Sequence, residues 1–342
     1  MFPTAPIDHA ACSGCSLCRL VCPMWRRHRD PRFSPEGIAK ALQCGATAAE
    51  LAAPLDACSL CGACDPVCPE RIDLSGMIMD LRLESANSLP PLSPRPALLD
   101  DLDARLQQAS ETAVAPNQGA KVLFLPGAEL RADAVLLAHV QALLGLTAVD
   151  DDGADIALAL EAGVPIPQQR MRSFLAGLSG HAIVAGEGLL VRQLRRWLPG
   201  SQRMGLGTAL SLRAAVRGKL EASDLYVIEP RAFHADYERM VGHYDRLQRE
   251  AGCSLSLDLQ RIAIPAAAPG MAQKLGLASG LASGLASEMA ADGDATQAKW
   301  LLQGRRPARI VVESLADRAA LQGVTDIPVL HVAELVQETK DD

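Results

Sequence analysis

The chain has 342 residues, which is enough for two or three domains with substantial cores. Its formal net charge is -7, and this acidic balance argues against nucleic-acid binding as the main role. We therefore look for function in small-molecule or redox chemistry and in contacts with other proteins.

Nothing in the sequence predicts export or membrane insertion. Residues 1–11 show no basic region followed by an apolar run, as a signal peptide would have. The longest apolar stretch, residues 135–149, is interrupted by His139 and Gln141. Together with ten cysteines that suit a reducing compartment, this predicts a cytoplasmic protein, attached to the inner face of a membrane at most through a partner.

Two cysteine runs near the N-terminus share one spacing, C-x2-C-x2-C-x3-C-P, and end at Pro23 and Pro69. This spacing holds [4Fe–4S] clusters in bacterial two-cluster ferredoxins, where the fourth cysteine of each run ligates the other cluster. The sequence therefore predicts two [4Fe–4S] clusters with crossed ligands. The first cluster would be held by Cys12, Cys15, Cys18 and Cys68, and the second by Cys58, Cys61, Cys64 and Cys22.

Other uses of these cysteines fit less well. A disulfide framework needs an oxidising compartment, for which the sequence gives no sign. A zinc ribbon uses two ligands per C-x2-C knuckle and leaves half of each run unexplained. Cys44 and Cys253 lie outside both runs, and we expect them to be inert packing residues.

Helical patterns surround the two motifs. Residues 37–53 are rich in Ala, Leu and Lys, and Ser34-Pro35-Glu36 is a suitable helix start. Residues 72–85 carry an apolar stripe that includes Met77 and Leu81, with Asp73 as the predicted cap. Cluster turns that lead into helices predict an α-helical two-cluster ferredoxin domain over residues 1–90.

Two segments resemble a known group of proteins. The run CSLCGACDPVCPERIDLSGMIMDLR, from Cys58 to Arg82, resembles the second cluster segment of helical ferredoxins in iron–sulfur subunits. Such subunits occur in succinate dehydrogenase, heterodisulfide reductase, anaerobic glycerol-3-phosphate dehydrogenase and glycolate oxidase. The run CPMWRRHRDPRFSPEG resembles the first segment of the last two. The resemblance implies a flavoprotein dehydrogenase or electron-transfer flavoprotein as partner, with a quinone or membrane acceptor reached through a partner.

Beyond the motifs, the proline-rich segment LPPLSPRP and a short helix at residues 97–109 predict a linker over residues 91–119. Residues 120–342 then alternate between short apolar runs and helical patterns, which predicts an α/β region with a largely parallel sheet. The strand candidates are residues 122–125, 156–160, 182–185, 225–228, 309–312 and 329–331. The helix candidates are residues 132–144, 188–197, 235–251 and 314–321.

The α/β region contains a faint internal repeat. VLFLPGAELRADAVLLAHV parallels LYVIEPRAFHADYERMVGH, and HAIVAGEGLLVRQL parallels ARIVVESLADRAAL. Two similar halves, about 120–218 and 219–338, would explain it, with residues 266–286 as a low-complexity insertion. This region weakly resembles the twin CCG-type domains of the same subunits, although Ala128 and the runs AGEG and VESL stand where that family has cysteines. The resemblance implies a degenerate domain kept as a docking scaffold.

The sequence contains no dinucleotide-binding glycine run, no P-loop and no nucleophile elbow, so we predict no catalytic residues. The favoured interpretation is a non-catalytic subunit that carries electrons from a flavoprotein dehydrogenase to quinone or another carrier. One alternative is a catalytic subunit of heterodisulfide-reductase type, which would need cluster cysteines in the C-terminal half. A redox sensor or an assembly protein is the other alternative.

Overall fold

The computed structural model of the protein describes residues 9–88, 97–111, 119–267 and 295–336. The predicted proline-rich segment, residues 89–96, and most of the low-complexity stretch lie outside these ranges. The described residues fall into two compact units. The first takes its residues from 1–115, 155–176 and 268–297, and the second from 116–154, 177–267 and 298–342. Within the described ranges, no helix is both long and apolar enough to cross a membrane.

Both units contain helices, and the second also contains strands. The helices are α1 (Leu17–Val21), α2 (Pro23–His28), α3 (Pro35–Gln43), α4 (Ala52–Ala57), α5 (Leu74–Ser88), α6 (Ala97–Glu111), α7 (Ala128–Ala132), α8 (Ala134–Leu144), α9 (Ala154–Ala162), α10 (Gln168–Leu178), α11 (Gly188–Trp197), α12 (Leu206–Ser211), α13 (Ala214–Arg217), α14 (Pro230–Ala235), α15 (Tyr237–Ala251), α16 (residues 295–302) and α17 (Leu315–Gln322). The strands are β1 (Val122–Leu125), β2 (Ala182–Ala185), β3 (Arg203–Gly205), β4 (Asp224–Val227), β5 (Ser254–Leu255), β6 (Arg309–Val312) and β7 (Val329–His331). Short 3-10 turns lie at His9–Ala11, Pro31–Phe33 and Val332–Leu335.

The helices around the cysteine motifs begin where their capping residues predict. Ser34 Oγ accepts from the backbone N–H of Gly37 at 3.1 Å and starts α3. Asp73 Oδ1 accepts from the backbone N–H of Gly76 at 2.9 Å and starts α5. The single helix predicted over residues 37–53 is instead two helices, α3 and α4, because the chain turns at Gly45, whose φ is +90°.

The strand predicted at residues 156–160 is wrong, since this stretch lies inside helix α9. A short run of buried apolar residues fits a strand and a buried helix equally well by periodicity. Alanine, which favours helix, recurs through the run, and Ala159 packs against Leu102 and Leu106 of α6 in the first unit. Helix α9 thereby becomes part of the support for the cysteine-bearing unit.

The second unit contains two parallel sheets. One has the order β1-β2-β3 and the other the order β5-β4-β6-β7. Four predicted strands, β1, β2, β6 and β7, have the predicted bounds, and β4 begins one residue early. The short edge strands β3 and β5 escape prediction, because two or three residues carry too little alternation to be recognised.

An aliphatic and aromatic core fills the second unit. Phe124, Tyr226 and Val311 from three different strands are completely buried within it. A second cluster lies on the opposite face of the second sheet. It includes Leu225 and Val227 of β4 together with Ala298 and Leu301 of helix α16. Strands buried on both faces explain why their sequences are continuous apolar runs.

Candidate iron–sulfur site

The two cysteine motifs share one backbone conformation. Gly14 and Leu60, which occupy equivalent positions after the first cysteine of each motif, have φ values of +80° and +52°. Ser16 and Gly62, equivalent positions after the second cysteine, have φ values of +66° and +77°. Left-handed residues bend the chain back sharply, so that cysteines two residues apart lie around one space.

Equivalent backbone hydrogen bonds close both motifs. The N–H groups of Arg19 and Asp65 donate to the carbonyls of Ser16 and Gly62, each at 3.1 Å. The N–H groups of Cys22 and Cys68 donate to the carbonyls of Arg19 and Asp65, each at 3.3 Å. The two runs are therefore repeated in structure as well as in spacing.

The eight motif cysteines surround two pockets. The first pocket is lined by Cys12, Cys15, Cys18 and Cys68, and the second by Cys22, Cys58, Cys61 and Cys64. The open space is about 320 Å³ in the first pocket and about 330 Å³ in the second. Each pocket thus brings together three cysteines of one motif and the last cysteine of the other, and their thiols form no disulfides.

Cys22 is directed across the domain by the helices on either side of it. It has an extended conformation, with ψ at 119°, between the last residue of α1 and Pro23 at the start of α2. Proline is suited to this position because the first turn of a helix needs no N–H donor from it. The chain therefore reverses at Cys22, and its side chain reaches the pocket of the second motif.

The loop of the first motif is held by the end of α3. Lys40 Nζ donates to the carbonyl of Cys12 at 2.7 Å. Gln43 Nε2 donates to the same carbonyl at 3.0 Å and to the carbonyl of His9 at 2.8 Å. These contacts fix the first cysteine of the first pocket from outside the motif.

A buried arginine holds the start of the second motif. Arg82, which is 2% exposed, donates from Nε and Nη2 to the carbonyl of Leu55 at 3.0 and 2.6 Å. The same Nη2 donates to the carbonyl of Cys58, and Nη1 donates to the carbonyl of Glu161 at 2.6 Å. One guanidinium therefore joins the end of α4, the first cysteine of the second pocket and α9.

Gly163 allows this arrangement by its close approach to the arginine. A Cβ at Gly163 would lie 2.7 Å from the backbone carbonyl carbon of Arg82 and 2.8 Å from its Cβ. The φ of Gly163 is +68°, which also favours glycine. Neither this contact nor the role of Arg82 follows from the sequence, in which an arginine within the apolar stripe of α5 is the available signal.

Burial raises the pKa of several motif thiols. The pKa of Cys18 rises to about 12, chiefly because burial disfavours the thiolate, with the nearby Glu36 carboxylate adding to the rise. Burial likewise places the pKa of Cys22 and Cys64 well above the usual range, although backbone N–H groups of Trp25 and Met24 oppose the rise at Cys22. Without a cation in the pockets these thiols stay protonated at neutral pH, so metal binding must release their protons.

The two remaining cysteines lie apart from both pockets. Cys44 is exposed at the end of α3, and Cys253 is 1% exposed in the core of the second unit, where burial raises its pKa to about 11. Across the described ranges, no group of three or more His, Cys, Asp or Glu side chains is arranged to hold a single metal ion.

In the second unit, carboxylates lie at the strand ends where the resemblance to CCG-type domains predicts cysteines. Glu187, after β2, accepts from the backbone N–H of Ala128 at 3.2 Å. Glu313, after β6, accepts from the hydroxyls of Tyr226 and Tyr244 at 2.7 and 2.6 Å. Burial raises the pKa of Glu313 to about 7. The protein itself supplies donors to these acids.

Comparison with known proteins identifies the cysteine-bearing segment. Residues 8–72 match a family model described as a 4Fe-4S dicluster domain. No curated protein and no solved structure matches the chain. The match includes both motifs and indicates iron–sulfur electron transfer for this part of the chain, without distinguishing one type of subunit from another.

Proposed function

We propose that the protein is an electron-transfer subunit that carries electrons through two [4Fe–4S] clusters from a flavoprotein dehydrogenase to quinone or another carrier. The observation that supports it best is the pair of pockets, each lined by four cysteines contributed crosswise by the two motifs. The dicluster match over residues 8–72 agrees with this interpretation.

The side chains that line the pockets suit iron–sulfur clusters. In this proposal Cys12, Cys15, Cys18 and Cys68 ligate the first cluster, and Cys58, Cys61, Cys64 and Cys22 ligate the second. Thiolates are the usual ligands of such clusters, and no other strong donor lines the second pocket. The first pocket also contains Glu36 and Glu70, whose carboxylates add negative charge beside its thiols.

When bound, each cluster supplies a centre that gains or loses one electron at a time. The chain's own residues fix the conditions for that exchange. Burial of Cys22 keeps water from its sulfur, and nearby backbone N–H groups stabilise negative charge on it. Lys40 and Arg82 hold the carbonyls of Cys12 and Cys58 and thereby fix the position of each pocket.

For the second unit we propose a scaffold role in docking the partner. Cys253 is the only cysteine of the chain after residue 68, so the sequence supplies no thiolate set for a further cluster there. The carboxylates at its strand ends are engaged in hydrogen bonds within the unit. Both points favour a binding surface over a second redox centre.

The functional test uses the protein purified under anaerobic conditions together with proteins that co-purify with it. We expect the isolated, flavin-free chain to oxidise no substrate, and its clusters to be reduced once the flavoprotein and that protein's substrate are added. Visible absorbance and electron paramagnetic resonance follow the reduction. Turnover of a small substrate by the flavin-free chain alone would contradict the proposal.

A further inference from the structure

We propose that the protein docks an acidic flavoprotein on the face beside the first pocket and exchanges electrons there. We call this the α1 face, formed by Cys15, Leu17 and Leu20 together with the basic segment 19–32. The inference rests on the proposed function and adds which of the two pockets faces the partner and what chemistry the partner surface has.

The first pocket reaches the protein surface through Cys15. Of the eight motif cysteines, Cys15 alone is exposed, and the other seven are half-buried or buried. Electron transfer rates fall steeply with distance, so a partner gains most by approaching this edge. A cluster bound in the first pocket would therefore be the one that meets a partner protein.

Two exposed leucines flank this edge. Leu17 is 40% exposed and Leu20 is 65% exposed, and both lie on α1, on either side of Cys18 of the first pocket. Residues three apart lie on the same side of a helix, so the two side chains form one apolar patch. Exposed apolar side chains that adjoin each other indicate a protein contact surface better than scattered ones do, and here they lie beside a cluster ligand.

None of the four cysteines that line the second pocket is exposed. Its apolar lining includes Met24, Leu60 and Ile78, which are 3%, 2% and 1% exposed. Cys22 is buried, and Cys58, Cys61 and Cys64 are half-buried. A cluster in the second pocket thus suits internal transfer, with the first pocket as the point of exchange.

The two motif segments differ in charge, and this difference indicates the charge of the partner's surface. Residues 9–45, which contain α1, have six Lys and Arg residues against two Asp and Glu residues. Residues 46–88 have two against seven, and the whole chain has a net charge of -7. A basic segment in an otherwise acidic protein fits an acidic partner surface.

Two cations of the basic segment are held in place before docking. Arg19, which adjoins Leu20, pairs with Glu36 at 3.2 Å and lies 5.6 Å from the ring centre of Trp25. Arg29 lies 5.2 Å from the same ring. Because the guanidinium groups are already ordered against the indole, the arginine side chains lose less entropy when a partner's carboxylates bind them.

The exchange at this face needs only electron transfer. The partner's reduced flavin is oxidised by one electron, and the first-pocket cluster is reduced by that electron. No bond forms or breaks between the two proteins, and no proton has to cross the interface. The residues of the α1 face therefore act by binding and orientation alone.

The test uses the full-length protein with both clusters and flavodoxin, an acidic flavoprotein, as the probe. Calorimetry with oxidised flavodoxin measures affinity without electron transfer, and rapid mixing with reduced flavodoxin measures cluster reduction. Leu20→Glu should weaken binding and slow reduction by about tenfold or more, because it places a carboxylate in the centre of the patch. Higher salt should weaken wild-type binding.

The matched control is Leu83→Glu, since Leu83 is an exposed leucine on α5 of the first unit, lines neither pocket, and the substitution adds the same charge. It should leave affinity and rate unchanged. Equal effects of the two variants, or no flavodoxin binding by a wild-type protein whose clusters dithionite reduces, would overturn the docking proposal alone. Absence of clusters from the wild-type protein would overturn the proposed function instead.

Discussion

The two units contain buried acids that are stabilised in different ways. In the first unit, burial raises the pKa of the Cys18 and Cys64 thiols, whose sulfurs line the two pockets. In the second unit, burial raises the pKa of the Glu313 and Asp317 carboxyls to about 7. Glu313 accepts from two tyrosine hydroxyls, and Asp317 accepts from the backbone N–H of Ala266 at 2.8 Å.

The difference indicates where a cofactor is needed. Buried acids in the second unit obtain hydrogen-bond donors from the protein, so their sites are complete without a ligand. Buried thiols in the first unit surround open space, and iron bound there would supply the positive charge that favours their thiolate form. In our proposal, the cost of burying an acid is offset by the protein in one unit and by a metal cluster in the other.

The largest expected effect comes from removing one ligand. Cys22→Ser should eliminate the cluster of the second pocket, although Cys22 belongs to the first motif, and about four iron atoms per chain should be lost. Cys68→Ser should eliminate the first-pocket cluster in the same way. Iron analysis with electron paramagnetic resonance of the reduced protein distinguishes the two.

Cys44→Ser serves as the control, because Cys44 is an exposed cysteine outside both pockets and its loss should remove no iron. If Cys22→Ser instead eliminated the cluster bound by Cys12, Cys15 and Cys18, the crossed assignment would be wrong.

A smaller effect is expected from Arg82→Met. This change removes the guanidinium that donates to the carbonyls of Leu55, Cys58 and Glu161, and we expect the first unit to lose about 3 kcal/mol of unfolding free energy. Loss of visible absorbance in the presence of an iron chelator should be faster for the variant. Arg105→Met, which removes an exposed pair with Asp101, should cost about 0.5 kcal/mol or less. Equal chelation rates for both variants would refute the role of Arg82.

Gly163→Ala tests the same support by close packing. The new methyl group would meet the Arg82 backbone and Cβ at 2.7–2.8 Å, so we expect a loss of about 2 kcal/mol from strain at this position. Gly45→Ala is the matched control in the same unit, since Gly45 also has a positive φ but nothing lies within 4 Å of a Cβ there. A thermal shift no larger for Gly163→Ala than for Gly45→Ala would show that the contact is unimportant.

A further prediction concerns pH and the second unit. Because the pKa of Glu313 rises from 4.5 to about 7 on folding, the folded state binds its proton more tightly than the unfolded state. Stability from this group is therefore fully present below pH 4.5 and is lost as pH rises towards 7, with a slope of up to about 1.4 kcal/mol per pH unit.

Glu313→Gln should remove this contribution and flatten the pH dependence of urea unfolding over that range. All three tyrosines of the chain, Tyr226, Tyr237 and Tyr244, lie in the second unit, so tyrosine circular dichroism reports its unfolding. An unchanged slope in the variant would show that Glu313 does not titrate in this way.

The sequence predicts the parts of the structure that depend on spacing and local chemistry. The cysteine spacing predicts which sulfurs share a pocket, because the motif turns are local, and Ser34 and Asp73 mark helix starts through side chains that cap their own helices. The apolar runs predict β1, β2, β6 and β7 because these strands are buried on both faces.

What escapes prediction depends on distant contacts. Residues 156–160 form a helix because α6 packs against Ala159, which local periodicity cannot show. Arg82 and Gly163 are far apart in sequence, and only the fold brings the guanidinium to the carbonyls of Cys58 and Glu161. The exposure of Cys15 and Leu20 likewise follows from which surfaces the helices leave uncovered.

The central claim is that the eight motif cysteines hold two [4Fe–4S] clusters, and metal analysis of anaerobically purified protein tests it most directly. We predict about eight iron atoms and eight acid-labile sulfides per chain, with Mössbauer spectra typical of cubane clusters. One or two zinc ions per chain with little iron would contradict it.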